Sequence, residues 1–231
     1  MERHFDQQLE KLKTKIIKMC SLVDEQVEFV IKAVEEENSD LAKIVIERDA
    51  KVDKYDLKID RICQKIFALN QPVAMDLRLI MSALTINNNL ERIGDIAVNI
   101  AENFLISGKK PEFYSRLKIN EMSIIVKDMI KNAIDSFIEN NAKLAQKVIS
   151  TDDALDEMNA YNHKVLIEIM KEDKNNIEPA VAFLVITRMM ERMGDHATNI
   201  AEDVYFIVEA QMIKHNYEKF IFNGDEKEDE D

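Results

Sequence analysis

Residues 91–102 read ERIGDIAVNIAE, and residues 191–202 read ERMGDHATNIAE. In both, a Glu and an Asp stand at i and i+4, Glu91 with Asp95 and Glu191 with Asp195, around a glycine, Gly94 or Gly194. At 3.6 residues per turn that spacing places both carboxylates on one face of a helix. Leu90, Ile93, Ala97, Ile100 and Phe104 fall on the other side at helical period. A helix written out twice in such detail predicts a chain that is helical and internally duplicated.

The duplication reaches well beyond the motif. MCSLVDEQVEFVIKAVEEEN at 19–38 lies over MSIIVKDMIKNAIDSFIENN at 122–141, and NSDLA at 38–42 lies over NAKLA at 141–145. Apolar residues recur at helical period over roughly 6–36, 40–69 and 73–107, and again over roughly 116–139, 142–171 and 179–219. The expected fold class is therefore all-α, a tandem repeat of two three-helix bundles built from six long helices. Repeat one is expected to span 1–107 and repeat two 116–219. SGKKPEF, from Ser107, gives a linker at 108–115, and an acidic, disordered tail follows at 220–231. Asn38-Ser39-Asp40 reads as a helix cap, and Pro72 and Pro179 sit where a first helical turn tolerates proline.

Composition agrees and excludes several functions. Four Gly, three Pro and no Trp in 231 residues are too little punctuation for a sheet protein of this length. Cys20 and Cys63 lie in apolar-periodic stretches without metal-ligand spacing, so buried free thiols in a reducing cytoplasm are expected. The N-terminal segment lacks a signal-peptide core, and the apolar run at 180–186 is far short of the roughly 20 residues that span a bilayer. A formal charge of −13 argues against nucleic acid or an anionic membrane surface as partner.

Acidic residues form further stripes. Asp49, Asp53, Asp56 and Asp60 share a face of the second helix, and Asp152, Asp156, Asn159 and His163 occupy the equivalent face in repeat two. If helices two and three form an antiparallel hairpin, Asp49 and Asp53 lie about 20 residues before the turn and Glu91 and Asp95 about 20 after it, so they meet at one height. The same register brings Asp152 and Asp156 level with Glu191 and Asp195. Four like charges converging in each repeat call for a hard cation, because carboxylate oxygens favour Mg, Mn, Ca or oxidised iron. Arg92 and Arg192 are expected to point about 100° away from the acids, and Arg78 and Arg92 to make structural ion pairs. Gly94 and Gly194 each cost about 1 kcal/mol in a helix interior; close helix approach and clearance for a metal are both open explanations. The acids lie opposite the apolar stripe of helix three, so they are expected on the outer surface. That placement, with no Glu-x-x-His, excludes a ferritin-like di-iron oxidase, and no enzymatic reading is favoured.

QPVAMDLR (71–78), NLERIGDIAVNIAE (89–102) and MERMGDHATNIAEDV (190–204) resemble the PhoU family of phosphate-uptake regulators over essentially the whole chain. The resemblance implies tandem three-helix bundles in a cytoplasmic, often homodimeric protein, with paired carboxylate motifs that hold multinuclear iron or other metal ions in some members. Carried over, those motifs fall on Asp49, Asp53, Glu91, Asp95, Asp152, Asp156, Glu191 and Asp195, with iron, manganese, magnesium or zinc as the candidate metals. Ile96 departs from the pattern, standing where His196 stands in repeat two. The implied role is negative control of inorganic phosphate uptake, through the ATPase subunit of a phosphate ABC transporter and a sensor histidine kinase. An accessory subunit of an ion-gradient phosphate carrier and a metal-dependent enzyme are the alternative readings.

Overall fold

The computed structural model describes residues 2–211 and 213. Helix α1 (Glu2–Glu35), α2 (Ser39–Asn70) and α3 (Ala74–Ser107) form the first bundle; α4 (Ile119–Glu139), α5 (Ala142–Ile149), α6 (Asp152–Glu172) and α7 (Ile177–Glu209) form the second. No strand occurs among the described residues. The final helix, expected to run to 219, ends at Glu209, where Ala210 turns left-handed at φ 58°; the acidic tail expected at 220–231 lies outside the described residues.

Each bundle closes because its helices carry an apolar stripe too wide to leave in water. In α1, Leu12, Ile16, Met19, Val23, Val27 and Val30 recur at three- and four-residue steps, and all are buried. They meet Val45, Val52, Ile59 and Ile66 of α2 and Ile86, Leu90, Ile93 and Ile100 of α3, which are equally buried. Cys20 and Cys63 are buried free thiols within this core, and burial raises both to about 12. The two bundles join mainly along α3 and α7, the most extensively packed helix pair, with α1 against α4 as a lesser contact.

The turns repeat as the helices do. Asn38 accepts from the backbone N–H groups of Asp40 and Leu41 at 3.1 Å, and Asn141 accepts from Leu144 at 3.1 Å. These caps satisfy donors that a helix start otherwise leaves unpaired. Before each cap a residue adopts a left-handed conformation, Glu37 at φ 56° and Asn140 at φ 52°, and the next N–H reaches back to Ala33 or Ser136 at 2.9 Å. Pro72 lies in the α2–α3 turn between the left-handed Gln71 and Ala74, and Pro179 falls in the first turn of α7.

Two expectations need correction. The helix expected to run unbroken over 142–171 is split at Ser150 and Thr151 into α5 and α6. Both hydroxyls donate to the Lys147 carbonyl, at 3.0 and 2.8 Å, and so compete with the i→i−4 ladder just where the acids Asp152 and Asp153 favour a new helix start. The stretch read as a bare linker contains a short 3-10 helix, Glu112–Arg116. Phe113 and Tyr114 pin it down, meeting Phe183 edge-on with ring centroids 6.3 and 5.7 Å apart.

Neighbouring helices approach closely at the two motif glycines, and the approach differs between repeats. A Cβ on Gly94 would stand 3.4 Å from Asp49 Oδ1, Gln26 Oε1 and Val52 Cγ1, whereas one on Gly194 would overlap Leu155 Cδ1. Leu155 is buried, so its side chain can give way only by repacking its core neighbours. Gly194→Ala is therefore expected to lower stability by roughly 1–3 kcal/mol through overpacking. Gly94→Ala should come out near neutral, its tight contacts offset by about 1 kcal/mol of helix propensity. Equal denaturant midpoints for the two variants would contradict this account.

Candidate functional site

In repeat one, α2 and α3 bring Asp49 beside Gly94, and Gln26 reaches across from α1 to donate to Asp49 Oδ1 at 3.2 Å and to the Val45 carbonyl at 3.4 Å. Burial, then the charges of Asp53 and Asp95, hold the Asp49 carboxyl above its ordinary value against the Gln26 hydrogen bond. Glu91 is also raised, first by burial and next by Asp95, with Asp56 and Asp53 adding to the effect. Asp49 and Glu91 therefore each feel the charge of both Asp53 and Asp95. Among the described residues, however, no three carboxylates here close to within metal-ligand spacing. Lower on the same face, Asn87 donates to Asp56 Oδ1 at 2.6 Å and to Asp60 Oδ1 at 3.2 Å, tying those two acids to the protein itself.

Repeat two is tighter. Oxygens of Asp156, Glu191 and Asp195 all lie within 4.8 Å of one another. Asp152, the fourth residue expected there, stands outside the trio and accepts a hydrogen bond from Thr198 at 3.1 Å. Burial raises Glu191 to about 7, with Asp195 and Asp156 adding to it and Arg188 opposing it. Burial likewise raises Asp152 to about 6 against the Thr198 hydrogen bond, and Asp195 is raised by burial and by Asp156.

Glu191 corrects the expectation of an outward-facing acid stripe, being only 6% exposed. The reason is topological: α7 packs against α3, α4, α5 and α6, so side chains opposite its main apolar stripe are covered as well. Glu191 Oε1 accepts from Arg188, while Oε2 is buried without a hydrogen-bond partner. A buried, unsatisfied oxygen within a trio of converging carboxylates suits a hard cation, which would supply the missing positive partner. Arg92 makes ion pairs as expected, but it does not point away from the acids: it folds back to Asp95 Oδ2 at 3.2 Å and approaches Glu91 Oε2 at 3.4 Å. His196 lies between the bundles, donating from Nδ1 to Asn89 Oδ1 at 2.9 Å, and burial with the nearby Arg192 and Arg92 lowers its pKa.

Gln26, Thr198 and Arg188 were not singled out from the sequence. Gln26 interrupts the apolar stripe of α1 between Val23 and Val27, and Arg188 stands at i−3 from Glu191; both positions are readable signals. In repeat one, the contribution of α1 to the site is what the acid motifs alone did not disclose.

The raised carboxyls fix the sign of a pH effect. Asp152 and Glu191 bind protons more tightly folded than unfolded, so their contribution to stability is fully present below about pH 4 and is lost as pH rises through about 6 and about 7. The metal-free protein should melt at a higher temperature near about pH 5 than near about pH 8, and Asp152→Asn with Glu191→Gln should flatten that slope. A melting temperature that rises over this interval in the wild type would contradict it.

The PhoU domain family matches residues 16–104 and 119–204, one copy on each bundle. The phosphate-specific transport system accessory protein PhoU homolog of Aquifex aeolicus is 38% identical over 212 residues, covering 92% of this chain and 96% of that one. PhoU homolog 1 of Thermotoga maritima is 33% identical, covering 91% of each. The crystal structure of PhoU from Pseudomonas aeruginosa superposes with a TM-score of 0.85 at 33% identity, over 90% of this chain and 100% of that one. That of the phosphate transport system regulatory protein PhoU from Streptococcus pneumoniae, at 23% identity and a TM-score of 0.78 over 90% and 98%, shares the fold. With both bundles matched and near full-length relatives above 30% identity, the chain belongs to the PhoU family of phosphate transport accessory proteins.

Proposed function

We propose that this protein is a cytoplasmic regulator that restrains inorganic phosphate uptake, acting on the ATPase subunit of a phosphate ABC transporter and on a phosphate-responsive sensor histidine kinase, without catalysing a reaction. The observation that carries the reading is the pair of family matches, one per bundle, to proteins named for the phosphate-specific transport system. No helix among the described residues is long and apolar enough to cross a membrane, which accords with a partner that works on a transporter from outside the bilayer. Deletion of the gene should raise phosphate uptake or phosphate-starvation gene expression in phosphate-rich medium. Uptake and expression identical to the parent strain would refute the role.

Metal binding belongs to the same proposal. Asp156, Glu191 and Asp195 would supply the tightest ligand set, with Asp152 as a further carboxylate beside them. Asp49, Asp53, Glu91 and Asp95 would form the second, more open set. Iron, manganese, magnesium or zinc would neutralise the gathered charge, and the cation, not a reacting substrate, is what the carboxylates are disposed to hold. Asp195→Asn should lower metal content in repeat two and Asp95→Asn in repeat one, while each metal-free variant melts at or slightly above the wild type because repulsion is relieved. Elemental analysis with thermal melts in chelator checks both statements. Wild-type protein carrying no metal above buffer level after incubation with each of the four ions would remove the metal reading and leave the regulatory one standing.

A further inference from the structure

The net charge of −13 conceals a sharp segregation. On α2 the acids Asp49, Asp53, Asp56 and Asp60 face α3, whereas Lys51, Lys54, Lys58, Arg61 and Lys65 recur at steps of three and four along the opposite edge. From α1, Lys11, Lys15 and Lys18 meet them across the α1–α2 groove. Two cavities open along it. One, of about 360 Å³, is lined by Lys11, Arg61 and Lys65 over Ile62 and Ile66. The other, of about 490 Å³, is lined by Lys18, Lys51, Lys54 and Lys58 over Leu22 and Tyr55.

No carboxylate lines either cavity, and among the described residues none of these cations is ion-paired. Lys15 and Lys58 lean over the Tyr55 ring, 5.7 and 4.9 Å from its centroid, which keeps their ammonium groups at the groove. Crowding so many like charges is unfavourable unless a counter-charge shares the space. The same α2 stripe ends on Leu69, which is 64% exposed, and beyond the turn stand Val73 at 70% and Met75 at 65%. The groove is therefore cationic at its rims and apolar along its floor, and its α2 edge runs on to an exposed leucine.

We propose that the α1–α2 groove is a docking surface for an acidic, amphipathic segment of a partner protein, with carboxylates on the rim lysines and apolar side chains on the Leu22, Tyr55 and Ile62 floor. From Lys51 to Lys65 the cationic edge runs roughly 20 Å, the reach of a few helical turns or of a short extended strand. A recessed apolar floor suits a polypeptide that enters the groove. A flat bilayer would meet the lysines and miss Ile62 and Tyr55, and a nucleic acid backbone would leave that apolar floor without an apolar partner. A second copy of this face is opposed by its own charge. The inference is independent of the acid clusters, and its test needs no metal.

The test is fluorescence anisotropy with the full chain in chelator, using a labelled peptide of roughly 15 residues that carries Glu on one helical face and Leu on the other. Binding is expected, weakening as salt rises, and Lys54→Glu with Lys58→Glu should reduce affinity about tenfold or more. The milder Lys54→Gln with Lys58→Gln should reduce it less, and circular dichroism of both variants should match the wild type. Lys143→Glu with Lys147→Glu, an equal charge change on α5, should leave affinity within about twofold of the wild type. A peptide with the same Glu residues but Ser in place of Leu should bind more weakly. The proposal is overturned if the Glu–Leu peptide does not bind, if the α5 variant loses as much affinity as the groove variant, or if labelled oligo-dT or phosphatidylglycerol vesicles occupy the groove more tightly than the peptide.

Discussion

The close approach of α2 to α3 at Gly94, and of α6 to α7 at Gly194, is the constraint on which the acid clusters depend. With no Cβ at those positions, Asp49 Oδ1 and Val52 come against the α3 backbone in one bundle, and Leu155 seats itself against α7 in the other. Once the helices are that near, the carboxylates one turn away have little freedom to separate. Their repulsion is held in place by core packing that is worth far more, since each buried leucine or isoleucine contributes roughly 1.5–3 kcal/mol. The protein thus stores unfavourable charge density at sites where burial has already fixed the backbone.

Charge on α2 is laid out to the same logic. One edge of this single helix carries the aspartates that face α3, and the other edge carries the lysines and arginine that face α1. The buried stripe of Val45, Val52, Ile59 and Ile66 runs between them. A helix with opposite charges on its two flanks and an apolar stripe between can be seated in only one rotational setting without placing like charge on like charge. That arrangement reinforces the register that packing selects.

Much of this was legible in the sequence because it rests on periodicity. The duplicated apolar stripes gave the bundles, Asn38 gave a cap that the structure repeats at Asn141, and Glu91/Asp95 and Glu191/Asp195 gave the carboxylate faces. What escaped depends on contacts between elements distant in sequence. The burial of Glu191 follows from how many helices surround α7, the seating of Leu155 against Gly194 from side-chain shape, and the Gln26 hydrogen bond from a third helix entering the site. The break at Ser150 and Thr151 was readable as a hydroxyl pair ahead of two aspartates, but the apolar period runs straight through it and masks the signal. The lysine edges were equally periodic, yet a single net charge averages them away.

The break at Ser150 and Thr151 makes the two acid clusters electrostatically unlike. In repeat one, Asp49 and Asp53 sit in the middle of a continuous 32-residue helix, where backbone dipoles cancel along the axis and only side chains such as Arg92 offer compensation. In repeat two, the interruption creates a fresh helix start at Asp152, and the partial positive charge of its unpaired N–H groups lies within a turn or so of Asp152 and Asp156. Such an end is worth about 0.3–1 kcal/mol to a nearby anion. The peptide backbone itself thus acts as a weak built-in counter-ion in one half of the molecule and is silent in the other, so a duplication that preserved the carboxylates left two clusters with different appetites for positive charge.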